Sequence, residues 1–146
     1  MGNLLVCLLL FFSLQTAPPT SNIEQAFLQN KPKLLYSYFP KNTKINLSLP
    51  EPIAFSDLLS NQQAFFLFKK IFSSFPSLEF YSVNTPLFFN DNRCIYQARW
   101  SVQNKRNNNQ YGFHIFFYMD KVVDLSDPNS KEIWIISEIK AEKIWT

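Results

Sequence analysis

The sequence predicts an α+β domain in which a curved antiparallel sheet wraps around N-terminal helices and one long core helix. Two observations support this fold class. Apolar residues recur at helical spacing before Pro76, whereas apolar and polar residues alternate beyond it, as they do in strands. Helices that precede a run of strands pack together on one face of the sheet. With 146 residues, 47% of them hydrophobic, the chain has room for one such core.

The first 20 residues carry no charged side chain and contain the apolar block Leu4–Phe12, which a polar, proline-bearing segment follows. This order is typical of an export signal. We therefore interpret residues 1–20 as a signal peptide with its linker and residues 21–146 as a single folded domain, exported to the periplasm or secreted. The apolar block is too short for a stable membrane span, although an uncleaved anchor is the alternative.

Two short helices are expected at the start of the domain. Ser21 and Glu24 have the spacing of a capping box, and the apolar residues around them share one helical face. Asn30 readily adopts the left-handed conformation that ends a helix, and Pro32 suits the first turn of the next one. The two helices form a bent arm at the beginning of the fold.

A strand and the long core helix are expected next. Residues Ile45–Leu49 alternate apolar and polar side chains, which predicts a strand with one wet face. Ser60 and Gln63 form a second capping box. The helix that follows repeats phenylalanine at positions 65, 68, 72 and 75, and this spacing places the rings on one face, toward the core.

Four strands are predicted beyond the core helix, each with alternating side chains. They span Leu78–Val83, Cys94–Val102, Tyr111–Asp120 and Ile133–Lys143. The segments between them are rich in Asn and Asp, which support turns in a chain that contains only 2 glycines.

In this order of elements the chain resembles the nuclear transport factor 2-like superfamily, whose fold is a cystatin-like α+β cone. The segments that carry the resemblance are IEQAFLQNKPKLLYSYF, INLSLP, NQQAFFLFKKIFSSFPSLEFYS and the closing WIISEIKAEKI. The resemblance covers nearly all of the domain as a pattern of elements, without a signature motif, and extends to small exported bacterial members of unknown function. The superfamily includes isomerases, dehydratases and binding or dimerisation modules, so the fold alone does not define the function.

Strand parity divides the sheet into an inner face toward the helices and a convex face away from them. On the inner face, Tyr96, Trp100, Tyr111 and Ser137 could form the wall of a pocket for a small apolar ligand. The abundant phenylalanine could instead fill the interior. From the sequence, the open cone and the filled cone are both possible.

The candidate interaction residues on the convex face are Arg99, His114, Phe116, Tyr118, Trp134 and Glu138. Such a mixture of aromatic and charged side chains is typical of an association site, and the resemblance implies a two-fold homodimer through this sheet face. Trp134 is the expected anchor. His114, the only histidine, is interpreted as a structural residue, although a bulge at Gly112 would turn it inward.

The inner face of the four strands after the core helix contains no Asp or Glu, and so lacks the carboxylate base that the resemblance associates with isomerases. We expect no catalytic residue, metal or cofactor, because no nucleophile motif, phosphate loop or metal-spaced His and Cys cluster occurs. The scattered basic residues argue against nucleic-acid binding. The sequence favours a non-catalytic binding or interaction module, with an isomerase or dehydratase built in the same cone as the alternative.

Overall fold

The structure is a computed structural model and describes residues 16–145, so residues 1–15 of the expected leader lie outside the described residues. The described helices are α1 (Thr20–Leu28), α2 (Pro32–Tyr36) and α3 (Asn61–Ser74). The described strands are β1 (Ile45–Leu49), β2 (Phe55–Leu59), β3 (Ser77–Ser82), β4 (Leu87–Asn90), β5 (Arg93–Gln103), β6 (Gln110–Val123) and β7 (Glu132–Lys143).

The seven strands form one open, curved sheet in the order β2, β1, β7, β6, β5, β3, with β4 also paired to β5. Neighbouring strands run antiparallel, except that β1 and β7 run parallel. The predicted α+β class is confirmed, and β5, β6 and β7 pair in their sequence order. This pairing brings the outward side chains of three long strands side by side.

Some of the sequence signals predicted for helix ends form the expected caps in the structure, and one does not. Ser60 and Gln63 form both hydrogen bonds of the capping box at the start of α3, and Asn30 adopts a φ of 53° just beyond α1. The predicted cap at Ser21 is wrong. Because α1 begins at Thr20, with Pro19 as its N-cap and no side-chain cap bond, Ser21 lies inside the first turn.

The core is centred on Phe27 of α1, which is completely buried. Its ring lies within 5.9 Å, centroid to centroid, of five other aromatic rings on α3 and the sheet, those of Phe68, Phe72, Phe80, Trp100 and Phe117. Aromatic rings at these separations and mostly edge-to-face angles pack densely. Phe27 of α1 therefore packs against the inner face of β3, β5 and β6.

Strand parity predicts the two faces of β5 and β6 correctly, but not those of the first half of β7. Tyr118 pairs with Glu138 whereas Met119 pairs with Ile136, so Ser137 is an extra residue in a β-bulge. The bulge reverses the parity of residues 133–136. Trp134 and Ile136 consequently face the core, although the sequence pattern assigns them to the convex face.

Gly112, where the sequence suggested that a bulge could occur, lies in a regular part of β6. Gly112 pairs with Ser101 in an unbroken register between β5 and β6, so the parity of His114 is not shifted. His114 therefore stays on the convex face, between Arg99 of β5 and Glu142 of β7.

Candidate functional site

The interior contains packed aromatic side chains where the sequence suggested a pocket wall. Tyr96 and Trp100 have no accessible surface, so a water-sized probe reaches neither side chain. The Tyr96 ring stacks on Phe117 with centroids 5.6 Å apart, and the Trp100 ring lies 5.4 Å from that of Phe113. As candidates for an open pocket wall, Tyr96 and Trp100 are wrong, because neighbouring rings occupy the space in front of them.

The polar atoms of these two aromatic residues are bound by serines at the two ends of β3. The Trp100 Nε1–H donates to Ser77 Oγ at 2.8 Å, and the hydroxyls of Tyr96 and Ser82 share a hydrogen bond of 2.7 Å. Burial raises the pKa of Tyr96, partly offset by the Ser82 hydrogen bond, so its hydroxyl is neutral at physiological pH. Neither group is a free donor for a substrate.

The structure does not bring the other two pocket candidates together. Ser137 Oγ donates to the carbonyl oxygen of Tyr118 at 3.1 Å and so closes the bulge in β7. Tyr111 lies seven residues from Tyr118 along β6, roughly 23 Å at the rise of a strand. Its ring is half-buried, with the Lys143 ammonium 5.2 Å from the ring centroid.

Cys94 is the first of the alternating buried residues of β5, and its thiol is free. Burial, and secondly the negative charge of Asp120, raise the pKa of this thiol to about 11. Because the thiolate is the nucleophilic form, Cys94 is unreactive at neutral pH.

We expect Cys94 in a Cys7→Ser chain to react with a thiol reagent only after denaturation, because the native thiol is both buried and protonated. Absorbance of the released chromophore, with and without urea, measures this. Stoichiometric labelling of the native chain within minutes would contradict the packing described for β5.

Cross-strand pairing arranges the convex face in three rows. The rows are Arg99–His114–Glu142, Gln97–Phe116–Lys140 and Ile95–Tyr118–Glu138. Their members on β5 and β6 are half-buried, whereas Lys140 and Glu142 are exposed. Five of the six sequence candidates lie in these rows, and Ile95, Gln97, Lys140 and Glu142 join them because parity places them on the same face.

Trp134 is the sixth convex-face candidate, and its assignment is wrong. The side chain is only 5% exposed because the bulge at Ser137 turns it inward. Its Nε1–H donates to the carbonyl oxygen of Thr16 at 2.9 Å, and its ring lies 6.0 Å from that of Phe88 and 5.7 Å from the Lys121 ammonium. Trp134 thus attaches the segment that precedes α1 to the sheet.

His114 occupies the middle of one convex-face row without forming the hydrogen bond expected of a structural histidine. Its Nδ1 is buried and has no hydrogen-bond partner among residues 16–145. A general base of the triad type is oriented by a hydrogen bond to its second ring nitrogen, and Nδ1 of His114 makes none within the described residues.

The charges of these three rows are balanced. Arg99 and Lys140 supply two positive charges, and Glu138 and Glu142 supply two negative charges. Lys140 Nζ lies 3.8 Å from Glu142 Oε1, and both side chains are about half exposed, so this pair adds little stability. The face thus combines aromatic surface with charges of both signs.

Two clefts lie on the opposite side of the domain, between α2 and α3, and sequence analysis did not anticipate them. The first has a volume of about 680 Å³, the second about 540 Å³, and both are lined by Lys33 and Phe65. Leu34, Phe72 and Lys69 contribute to the first cleft. The exposed surface of both clefts is mainly apolar, and lysines are among the lining residues.

The charged groups of the described part of the chain lie mostly at its surface. Within residues 16–145, no charged residue is fully buried, although the side chain of Lys121 is only 9% exposed. No three His, Cys, Asp or Glu side chains in this range are placed to hold a metal ion. Asp57, exposed in β2, accepts a hydrogen bond from the backbone N–H of Leu58. None of the helices between residues 16 and 145 is long and apolar enough to cross a membrane.

Comparison with solved structures identifies the fold class. A DUF4783 family protein from Bacteroides uniformis superposes with a TM-score of 0.67 at 16% sequence identity, covering 88% of this chain and 100% of that chain. A ketosteroid isomerase-like protein from Erwinia carotovora atroseptica gives a TM-score of 0.64 at 9% identity, covering 93% of this chain and 100% of that one.

A third similar structure, from Catenulispora acidiphila, is described as a hypothetical protein with a ketosteroid isomerase-like fold in complex with trimethylamine. It gives a TM-score of 0.58 at 8% identity and covers 87% of this chain and 86% of that one. No family model matches the sequence, and no curated protein sequence matches it. The chain thus has the nuclear transport factor 2-like fold that the sequence pattern resembles, and these identities establish the fold alone.

Proposed function

We propose that this chain is a non-catalytic, exported interaction module that forms a two-fold homodimer through the convex face. The observation that carries the proposal is the middle of that face, where Phe116 and Tyr118 lie between Gln97 and Ile95 on one side and charged residues on the other. Aromatic surface at the centre of a polar rim is the usual anatomy of a protein interface.

Charge balance favours a second copy as the partner. In a two-fold interface the same patch occurs on both subunits, so a face with a single sign of charge would repel itself. Here Arg99 and Lys140 can be offset by Glu138 and Glu142 of a second copy. Complementary charges of this kind fix the orientation of the partners more than they add affinity.

The filled interior argues against the two other functions considered. An isomerase or dehydratase needs a base beside a bound substrate, whereas the interior around Tyr96 and Trp100 offers neither space nor a buried carboxylate within residues 16–145. The similar protein that binds trimethylamine makes a small ligand conceivable for this fold. In this chain, stacked rings occupy the position where the sequence suggested a ligand.

In this proposal the open sheet wraps around α1, α2 and α3 as a cone with a filled interior, and residues 1–20 direct export. Whether the hydrogen bond from Trp134 to the Thr16 carbonyl survives export depends on where the signal peptide is cleaved. Cleavage after Ala17 would remove the acceptor of that bond, whereas cleavage before Thr16 would keep it.

The oligomeric state of the full chain tests the proposal. We expect Phe116→Glu to convert a dimer into a folded monomer in sedimentation velocity, because it places two carboxylates at the centre of a two-fold interface. Phe66→Glu is the matched control, since it makes the same substitution at an exposed phenylalanine of α3. This control should remain a dimer.

Three outcomes would contradict the proposal. The unmodified chain would sediment as a monomer at high micromolar concentration, both variants would lose association equally, or both would keep it. The last outcome assigns association to another surface, such as the apolar leader, which the two variants share. Circular dichroism of each variant separates loss of the dimer from loss of the fold.

A further inference from the structure

The helices α2 and α3 carry positive charges only. No acidic residue occurs between Gln25 and Pro50 or within α3, whereas these two segments contain six lysines, Lys31, Lys33, Lys41, Lys44, Lys69 and Lys70. The rest of the chain has the opposite balance, with the remaining eight basic residues against all eleven acidic ones. The net positive charge of the chain is therefore concentrated in these two segments, and four of their six lysines, Lys31, Lys33, Lys69 and Lys70, lie in or next to α2 and α3.

Large apolar side chains are exposed on the same side. Phe66 is 62% exposed, Leu28 is 44% exposed, and Leu34 and Tyr36 are each 37% exposed. Leu34 lines the first cleft between α2 and α3, Tyr36 and Phe66 line the second, and the clefts share Lys33 and Phe65. The residues of these clefts thus form one continuous patch, which we call the lysine–aromatic face, comprising Lys31, Lys33, Leu34, Tyr36, Phe65, Phe66 and Lys69.

The spacing along α3 places its cations beside its aromatic rings. Lys69 follows Phe65 by four residues and Lys70 follows Phe66 by four, so each lysine lies one turn beyond a phenylalanine on the same side of the helix. The long lysine stems extend past the apolar surface and hold their ammonium groups at its edge. Protruding rings surrounded by ammonium groups suit the boundary between lipid headgroups and acyl chains.

We propose that the lysine–aromatic face docks on an anionic lipid bilayer surface. Lysines next to such a surface attract it electrostatically, while Phe66, Leu34 and Tyr36 enter the headgroup boundary. An acidic helical peptide could place apolar side chains in the two clefts, but it fits less well because Phe66, Leu34 and Tyr36 of this chain are themselves exposed there. The lysine–aromatic face and the convex face lie on opposite sides of the sheet, so this inference is independent of the proposed dimer.

Co-sedimentation of the full chain with vesicles tests the inference. We expect at least tenfold stronger partitioning onto phosphatidylcholine vesicles that contain about 30% phosphatidylglycerol than onto phosphatidylcholine alone, since each lysine near an anionic surface contributes roughly a factor of five. The first 20 residues have no charged side chain, so the leader does not account for this difference. Raising the salt concentration to about 0.5 M should abolish the preference.

A matched pair of double variants locates the binding surface. Lys33→Gln with Phe66→Ser removes one ammonium and one exposed apolar side chain from the lysine–aromatic face. Lys131→Gln with Leu125→Ser removes the same kinds of group from the exposed segment between β6 and β7, where Leu125 is 92% exposed. We expect the first pair to weaken partitioning onto the anionic vesicles about tenfold or more, and the second pair to change it less than twofold.

Equal partitioning onto neutral and anionic vesicles would overturn the inference, as would equal losses in the two double variants. Binding to immobilised polyglutamate without binding to anionic vesicles would also overturn it, and would assign the lysine–aromatic face to an acidic protein partner.

Discussion

Replacing Phe27 with alanine is expected to lower the free energy of unfolding by about 3 to 5 kcal/mol. Phe27 is completely buried, and its ring contacts five other aromatic rings from α3 and the sheet. The substitution removes a buried side chain and leaves a cavity that those rings fill only partly. Urea unfolding at equilibrium, followed by tryptophan fluorescence, measures the change.

Phe66→Ala is the matched control for Phe27→Ala, because Phe66 is 62% exposed. Its expected cost is below about 0.5 kcal/mol. If Phe27→Ala leaves too little folded protein to measure, Phe27→Leu gives a smaller loss of the same sign. A cost below about 1 kcal/mol for Phe27→Ala would mean that α1 does not pack against the sheet as described.

Trp134→Glu is expected to unfold the domain rather than to yield a folded monomer. The substitution puts a carboxylate at a position that is only 5% exposed, removes the hydrogen bond to Thr16 and leaves a cavity next to Phe88. Together these changes should cost more than about 3 kcal/mol. Thermal unfolding monitored by circular dichroism gives the measurement.

The control for Trp134→Glu is Trp145→Glu, because Trp145 is 82% exposed near the end of the chain. This variant should melt within a few degrees of the unmodified protein. A Trp134→Glu chain that stayed folded and lost only self-association would return Trp134 to the convex face, as the simple alternation of β7 predicts.

The alternation of apolar and polar residues determines the two faces of β5 and β6, because both strands pair in an unbroken register. It fails in β7 because a bulge inserts one residue without a distinctive sequence signal. Ser137 occupies that bulge, whereas Gly112, the residue type that suggests irregularity, lies in a regular pair. A single inserted residue is enough to exchange the faces of Trp134 and Ile136.

Two strands were missed because their side chains are largely outside the core. All four residues of β4 are exposed, and β2 has no buried residue in its five positions, so neither shows the alternation that burial imposes. The cap predicted at Ser21 is also missed, because Pro19 is the N-cap and α1 begins two residues earlier than a cap at Ser21 implies.

Sequence parity places Tyr96 and Trp100 on the inner face but does not determine whether space remains in front of them. That space depends on Phe27, which lies about 70 residues earlier in the chain and reaches Trp100 only through the packing of α1 on the sheet. The clefts between α2 and α3 were missed for the same reason. Phe65 was assigned to the core face by its spacing, whereas it is partly buried and lines both clefts.

The most direct test of the proposed interaction module is the distance between spin labels on two copies of the chain. Ser56 lies at the rim of the convex face, because it follows Ser48 and Lys140 in the row of Phe116. A Cys7→Ser, Ser56→Cys chain carries the label there alone, since Cys94 is buried. The account predicts one defined label-to-label distance that disappears when Phe116→Glu is added. The absence of dipolar coupling, or coupling that Phe116→Glu leaves unchanged, would contradict it.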